Sequence, residues 1–172
     1  MAAPADLAKK ELGVREPFAF DKYAGGRNEH WCAHFVSWLY VLAGQPLPGY
    51  KTPSKTPPRW NPIASVNTLY ETLKAEGKIV NTYPRKNDLI FYYRNGKSSG
   101  PKGHVGIVTE VRDGQVISIE GNLSDQVKQV THNLDAKNIA GYGRVYKESV
   151  SPLAGLVVLL GSGYITWKVL ED

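Results

Sequence analysis

The chain has 172 residues and a mass of 19.0 kDa, enough for one hydrophobic core of ordinary size but hardly for two independent domains. Its 42% hydrophobic and 22% charged residues exclude an intrinsically disordered chain, and its single cysteine excludes an intramolecular disulfide. A net charge of +5 would suit an anionic polymer, but the basic residues are scattered, with no compact run and no nucleic-acid motif, which argues against nucleic acid as a partner.

In chain order, residues 4–12 predict a short helix stopped by Gly13, and Gly25-Gly26-Arg27-Asn28 predicts a loop leading into a helix capped near Asn28. Within that helix Trp31, Phe35, Trp38 and Leu42 form one apolar stripe, and Cys32, Val36 and Leu39 form the adjacent one, before Gly44 ends the pattern. Two neighbouring stripes predict a central, largely buried helix. Residues 46–62 carry six prolines and predict an irregular loop; residues 64–76 predict a further helix closed by Gly77. From Asp88 the pattern changes to strands at residues 88–94, 104–111, 115–120, 126–131 and 142–146. Helices followed by an antiparallel sheet make an α+β domain, here residues 1–147, with residues 148–172 as an apolar tail.

The chemistry concentrates in two places. Cys32 falls in the first turn of its helix, where unpaired backbone N–H groups and the positive end of the helix dipole favour a thiolate and could hold an oxyanion. Downstream, His104, Glu120 and Asn122 lie on two strands joined around Asp113-Gly114. If those two residues alone made the turn, Arg112 would pair with Gln115 and Glu120 would face away from His104. A three-residue loop, Arg112-Asp113-Gly114, pairs Val111 with Gln115 instead, and sets His104 opposite Asn122 and diagonal to Glu120. Hydrophobic alternation favours the second register, which puts Val105, Ile107, Val111, Ile117 and Ile119 together on one face. His104, Val108, Glu120 and Asn122 then share the other face, where the Cys32 helix is expected to pack. A histidine so placed can take the thiol proton and later protonate a leaving amine, while a carboxylate or amide on its second nitrogen fixes the tautomer.

The remaining histidines are poorer candidates. His30 and His34 each sit two residues from Cys32, about 200° around a helix, and His132 lies in a polar segment. One Cys and four His without paired-ligand spacing argue against a metal site, and no other cofactor is expected.

Four segments, Glu29-His30-Trp31-Cys32-Ala33-His34-Phe35-Val36-Ser37-Trp38, Lys86-Asn87-Asp88-Leu89-Ile90-Phe91, Gly103-His104-Val105-Gly106-Ile107-Val108 and Ile119-Glu120-Gly121-Asn122-Leu123-Ser124-Asp125-Gln126-Val127, resemble the CHAP family, the cysteine, histidine-dependent amidohydrolases/peptidases. The last segment resembles the branch found in bacteriophages and prophages, as in endolysins and other antibacterial wall hydrolases. The resemblance implies a papain-like α+β fold and a thiol hydrolase of bacterial peptidoglycan, acting as an N-acetylmuramoyl-L-alanine amidase or as a stem-peptide or cross-bridge endopeptidase. It also implies that Cys32 is the nucleophile, His104 the general base and acid, and Glu120 with Asn122 the orienting groups. A non-catalytic wall-binding module and an intracellular thiol protease on the same fold are the alternatives.

Trp60, in the proline-rich loop with Lys51, Lys55 and Arg59, and Tyr23 are the expected substrate contacts. Residues 150–167 carry no charge, so they suit a membrane helix, but Pro152, Gly155, Gly161 and Gly163 equally suit an element packed on the domain. The N-terminus has no basic region followed by an apolar stretch, so no signal peptide is expected. Reaching the wall would then require release with a holin, a place in a virion, or anchoring through the tail.

Overall fold

Helices form the first part of the domain and strands the second, as the change of period at Asp88 predicts. The computed structural model describes residues 2–50 and 63–148. Trp60 and the 150–167 segment therefore lie outside the described residues, and among the described residues no helix is long and apolar enough to cross a membrane.

Helix α1 (Pro4–Lys9) starts on a proline, whose fixed φ suits the first helical position, and it buries Pro4, Ala5 and Ala8. It ends earlier than expected because the chain turns through Gly13 at φ +85°, whose N–H bonds Val127 O at 3.0 Å. A short helix, α2 (Phe18–Tyr23), has no counterpart in the sequence reading. At six residues it is too short to show a helical period. Helix α3 (Cys32–Leu42) is the central element, with eight of its eleven residues buried. Helix α4 (Val66–Ala75) is capped by Ser65, whose hydroxyl accepts from Thr68 N at 3.2 Å, and it buries Val66, Leu69, Tyr70 and Leu73. That i, i+3, i+4, i+7 spacing is one face of a helix.

Strands β1 (Ile79–Val80), β2 (Leu89–Tyr93), β3 (Lys102–Arg112), β4 (Gln115–Glu120), β5 (Lys128–Asn133) and β6 (Ile139–Gly143) form one antiparallel sheet in the order β1-β6-β2-β3-β4-β5. Its two faces differ. Leu89, Phe91, Val105, Ile107 and Ile119 point to the helices and join Trp31, Phe35, Val36, Leu39 and Leu73 in the main core. Ile90, Tyr92, Val108, Val116 and Tyr142 form a smaller cluster on the opposite face. His104 pairs with Tyr92, and Glu120 pairs with Gly106, so both belong to the second face by the period of two. Helix α3 therefore packs on the face opposite to the one expected, because the helix needs the continuous apolar surface that Val105, Ile107 and Ile119 supply.

The β3–β4 register has an instructive origin. Asp113 and Gly114 alone make the turn, both in the left-handed region at φ +52° and +74°, and Arg112 pairs with Gln115. The three-residue loop inferred from the sequence is thus replaced by a two-residue one. Thr109 then inserts as a β-bulge, so that Glu110 pairs with Ile117 but Val108 pairs with Ser118. One extra residue in one strand shifts the ladder by one. Beyond the bulge Ile107 pairs with Ile119 and Gly106 with Glu120, the register that hydrophobic alternation demanded.

Candidate active site

Cys32 is the first residue of α3 and is 5% exposed. Trp31 occupies the cap position, anchored by its indole Nε1 donating to Glu16 Oε1 at 2.8 Å. The helix ladder begins with Phe35 N bonding Trp31 O at 2.8 Å, which leaves the N–H groups of Cys32, Ala33 and His34 without carbonyls inside the helix. No acidic residue occupies the first turn, where the positive end of the dipole lies.

His104 lies two residues beyond the last β3–β4 pair, at the open end of the ladder. There it meets the first turn of α3, even though the body of that helix covers the other face. Its Nε2 is 3.0 Å from Glu120 Oε2, and the ring lines one cleft with Cys32. Burial disfavours a charged ring. The hydrogen bonds and negative charge of Cys32 and Glu120 outweigh it and push the His104 pKa up to about 10.

Glu120 is 2% exposed, and its two oxygens are divided. Oε2 serves His104; Oε1 accepts from Tyr92 OH at 2.6 Å and from Ser118 Oγ at 2.7 Å, with His132 Nε2 at 3.7 Å. Burial alone would raise this carboxyl, but its interactions with His104, His132 and Tyr92 hold it well below the usual carboxylate range. Glu120 is a buried anion with both oxygens hydrogen-bonded. Two glycines make room for this arrangement. A Cβ on Gly106 would stand 2.6 Å from Glu120 Cγ, and one on Gly121 would stand 2.6 Å from Phe35 Cβ, where α3 closes on the strand end.

Asn122 departs from its expected place. It stands at φ +61° and its Nδ2 lies 3.4 Å from His30 Nδ1, and no hydrogen bond among the described residues joins it to His104. The second ring nitrogen is already taken by Glu120, so the amide is left on the cleft wall. His30 joins it there, because α3 begins at Cys32 and the helical angle that separated His30 from the sulfur does not apply. Tyr23 is not a substrate contact. It is fully buried, its hydroxyl bonds Glu11, and its ring packs on Trp31, Phe35 and Trp38.

The cleft over Cys32 and His104 measures about 480 Å³, and Asn67, Arg94, Lys102 and Asn122 line it. Sequence reasoning missed Tyr92, Ser118 and Arg94. The first two are ordinary strand residues whose role depends on which neighbour faces them, and the third sits in a turn after β2. Among the described residues no group of three or more His, Cys, Asp and Glu could hold a metal ion.

Three solved structures are similar to this chain. A Staphylococcus aureus protein described as similar to a lipoprotein of the NLP/P60 family is 18% identical, with 85% of this chain and 41% of that one covered at a TM-score of 0.48. Ly7917 is 13% identical over 83% of this chain and 61% of its own, at a TM-score of 0.49. Ly7917 with the hydrolyzing product of MDP is 16% identical over 84% and 64%, at a TM-score of 0.50. The chain spans less than two thirds of each of these chains. No curated protein matches it. The fold is the papain-like α+β arrangement that the sequence resemblance implied. The CHAP domain family pattern matches residues 22–122, more than half of the chain, and takes in Cys32, His104, Glu120 and Asn122: this chain belongs to the CHAP family.

Proposed function

We propose that this protein is a thiol hydrolase that cleaves an amide bond in bacterial peptidoglycan, with Cys32 as nucleophile, His104 as proton carrier and Glu120 as the group that orients and charges the ring. The observation that carries it is that Cys32, at the start of α3, and His104 line one cleft, with the imidazole bonded to a buried carboxylate that is itself held by Tyr92 and Ser118. Membership of a family of cysteine, histidine-dependent amidohydrolases and peptidases supports the same reading. The structure of Ly7917 with the hydrolyzing product of MDP is in keeping with a wall-derived substrate.

In this mechanism the Cys32 thiolate attacks the carbonyl carbon of the scissile amide, and the carbonyl oxygen becomes an oxyanion facing the free N–H groups at the start of α3. Collapse breaks the C–N bond as His104 gives its proton to the departing nitrogen, leaving a thioester on Cys32. His104, now neutral, takes a proton from water, which attacks the thioester carbonyl. Collapse of this second intermediate breaks the C–S bond, so the acid product leaves and the Cys32 thiolate is restored beside protonated His104. Throughout, Glu120 keeps the ring in one orientation and stabilises its charged form.

Purified peptidoglycan in a zymogram tests this. Clearing by the wild type and a loss of at least about 10³-fold for Cys32→Ala are expected. Equal clearing by both proteins removes Cys32 from the mechanism, and binding without clearing by either makes the chain a wall-binding module. Mass spectrometry of the fragments distinguishes the two bonds: new amino termini on L-alanine mean a muramoyl-L-alanine amidase, and other termini mean an endopeptidase.

A further inference from the structure

We propose that the cleft selects substrates that carry a free carboxylate close to the scissile amide, and that Arg94 is the residue that binds it. This rests on the hydrolase reading above and names the class of substrate which that site prefers.

The first observation is the charge of the cleft. Its described lining includes Arg94, Lys102 and His30 beside Cys32 and His104, and no Asp or Glu. Glu120, behind His104, is engaged by Tyr92, Ser118 and His104 and offers no charge to a ligand. A wall of one sign with no counter-charge concentrates an anionic group at that place.

The second observation separates the two strong cations. Lys102 is already engaged: its Nζ stands 4.1 Å from the Tyr70 ring centroid, 3.3 Å from Gly100 O and 3.9 Å from Glu71 Oε1, and its side chain is only 12% exposed. Arg94 is different. Among the described residues its guanidinium makes no ion pair and no hydrogen bond, and it is exposed at the mouth of the cleft. An arginine fork matches the two oxygens of a carboxylate, so a charged group there with no internal partner is suited to an external one.

The third observation is that Arg94 is held in place. Its N–H bonds Pro101 O at 2.9 Å, and it opens a 3-10 turn, Arg94–Gly96, whose Asn95 stands at φ +59°. The turn rests directly on the strand beside His104. A Cβ on Gly103 would lie 2.8 Å from Arg94 Cα and 2.9 Å from Arg94 Cβ. The glycine that precedes the histidine therefore seats the base of the arginine one residue from the proposed proton carrier.

Stem peptides of peptidoglycan offer the matching group, because their second residue carries a carboxyl that is either free, as isoglutamate, or amidated, as isoglutamine. Two disaccharide-tetrapeptides that differ only there provide the test, titrated calorimetrically into the full chain carrying Cys32→Ala so that neither is cut. The acid form should bind roughly tenfold more tightly than the amide, and Arg94→Gln should reduce that preference to about one, with Arg94→Lys recovering part of it. Equal affinities for the pair, a preference that survives Arg94→Gln, or no binding of either peptide would overturn the proposal. Turnover is scored separately. Cys32-dependent clearing of wall by the wild type combined with equal affinities removes the carboxylate preference alone, whereas a tenfold preference without clearing removes the hydrolase alone.

Discussion

The two faces of the sheet use the same strands for opposite ends. On the helix side Val105, Ile107 and Ile119 are fully buried among aromatic and aliphatic side chains. On the other side His104, Ser118 and Glu120 occupy the intervening positions beside a small apolar cluster, and they are hydrogen-bonded to one another. Alternation in a strand is what permits this. Residue i can be committed to stability while residue i+1 is committed to chemistry, with little interference, because their side chains project from opposite surfaces. A buried anion such as Glu120 survives only because its face also supplies the hydroxyls and imidazoles that replace water.

The largest expected break in this division comes from Glu120→Gln. It keeps the shape but removes the charge that favours the protonated ring, and kcat/KM should fall by about 10²- to 10⁴-fold. The pH profile should move with it. Native His104 holds its proton more tightly than in the unfolded chain, so its contribution to stability is complete below the ordinary value of 6.5 and is lost as pH rises through about 10. Activity of the wild type should show an alkaline limb in that range, and in Glu120→Gln the limb should move down; an unmoved limb would uncouple the two residues.

On the helix face Ile107→Ala should lower unfolding free energy by about 2–5 kcal/mol in a denaturant titration, with the rate of Cys32 alkylation in the folded fraction close to wild type. A selective loss of thiol reactivity instead would mean that the faces are not separable. The smallest effect belongs to Tyr92→Phe. It removes one of the two hydroxyls on Glu120 Oε1 and leaves Ser118, so about 0.5–1.5 kcal/mol and a loss of activity below about tenfold are expected, with the alkaline limb shifted in the same sense as in Glu120→Gln but less.

Much of the candidate site was legible in advance because its residues sit in short local patterns. Cys32 at a helix start and His104 and Glu120 on alternating strands follow from the period of the apolar residues, which is a local property. Asn122 was misassigned for a non-local reason: its contact with His30 depends on how the chain before α3 enters the cleft. Tyr23 was misread for the same kind of reason. A tyrosine just before a two-glycine loop could face either way, and only the packing of Trp31, Phe35 and Trp38 around it makes it a core residue. The glycines of the Gly103-His104-Val105-Gly106 and Glu120-Gly121-Asn122 stretches were visible as a motif, but their purpose was not, since each is defined by an atom of a distant residue.

By itself the amino-acid sequence determined the class of fold and the register in which Glu120 shares a face with His104, because apolar alternation is enforced by burial wherever the chain folds. Only the tertiary structure decided how that register is reached, through a two-residue turn and a bulge at Thr109 rather than a longer loop, since a turn and a bulge shift a ladder by the same single residue. It also decided which face the Cys32 helix covers and which side chains hold Glu120. Those are matters of which surfaces meet, and no local pattern carries them.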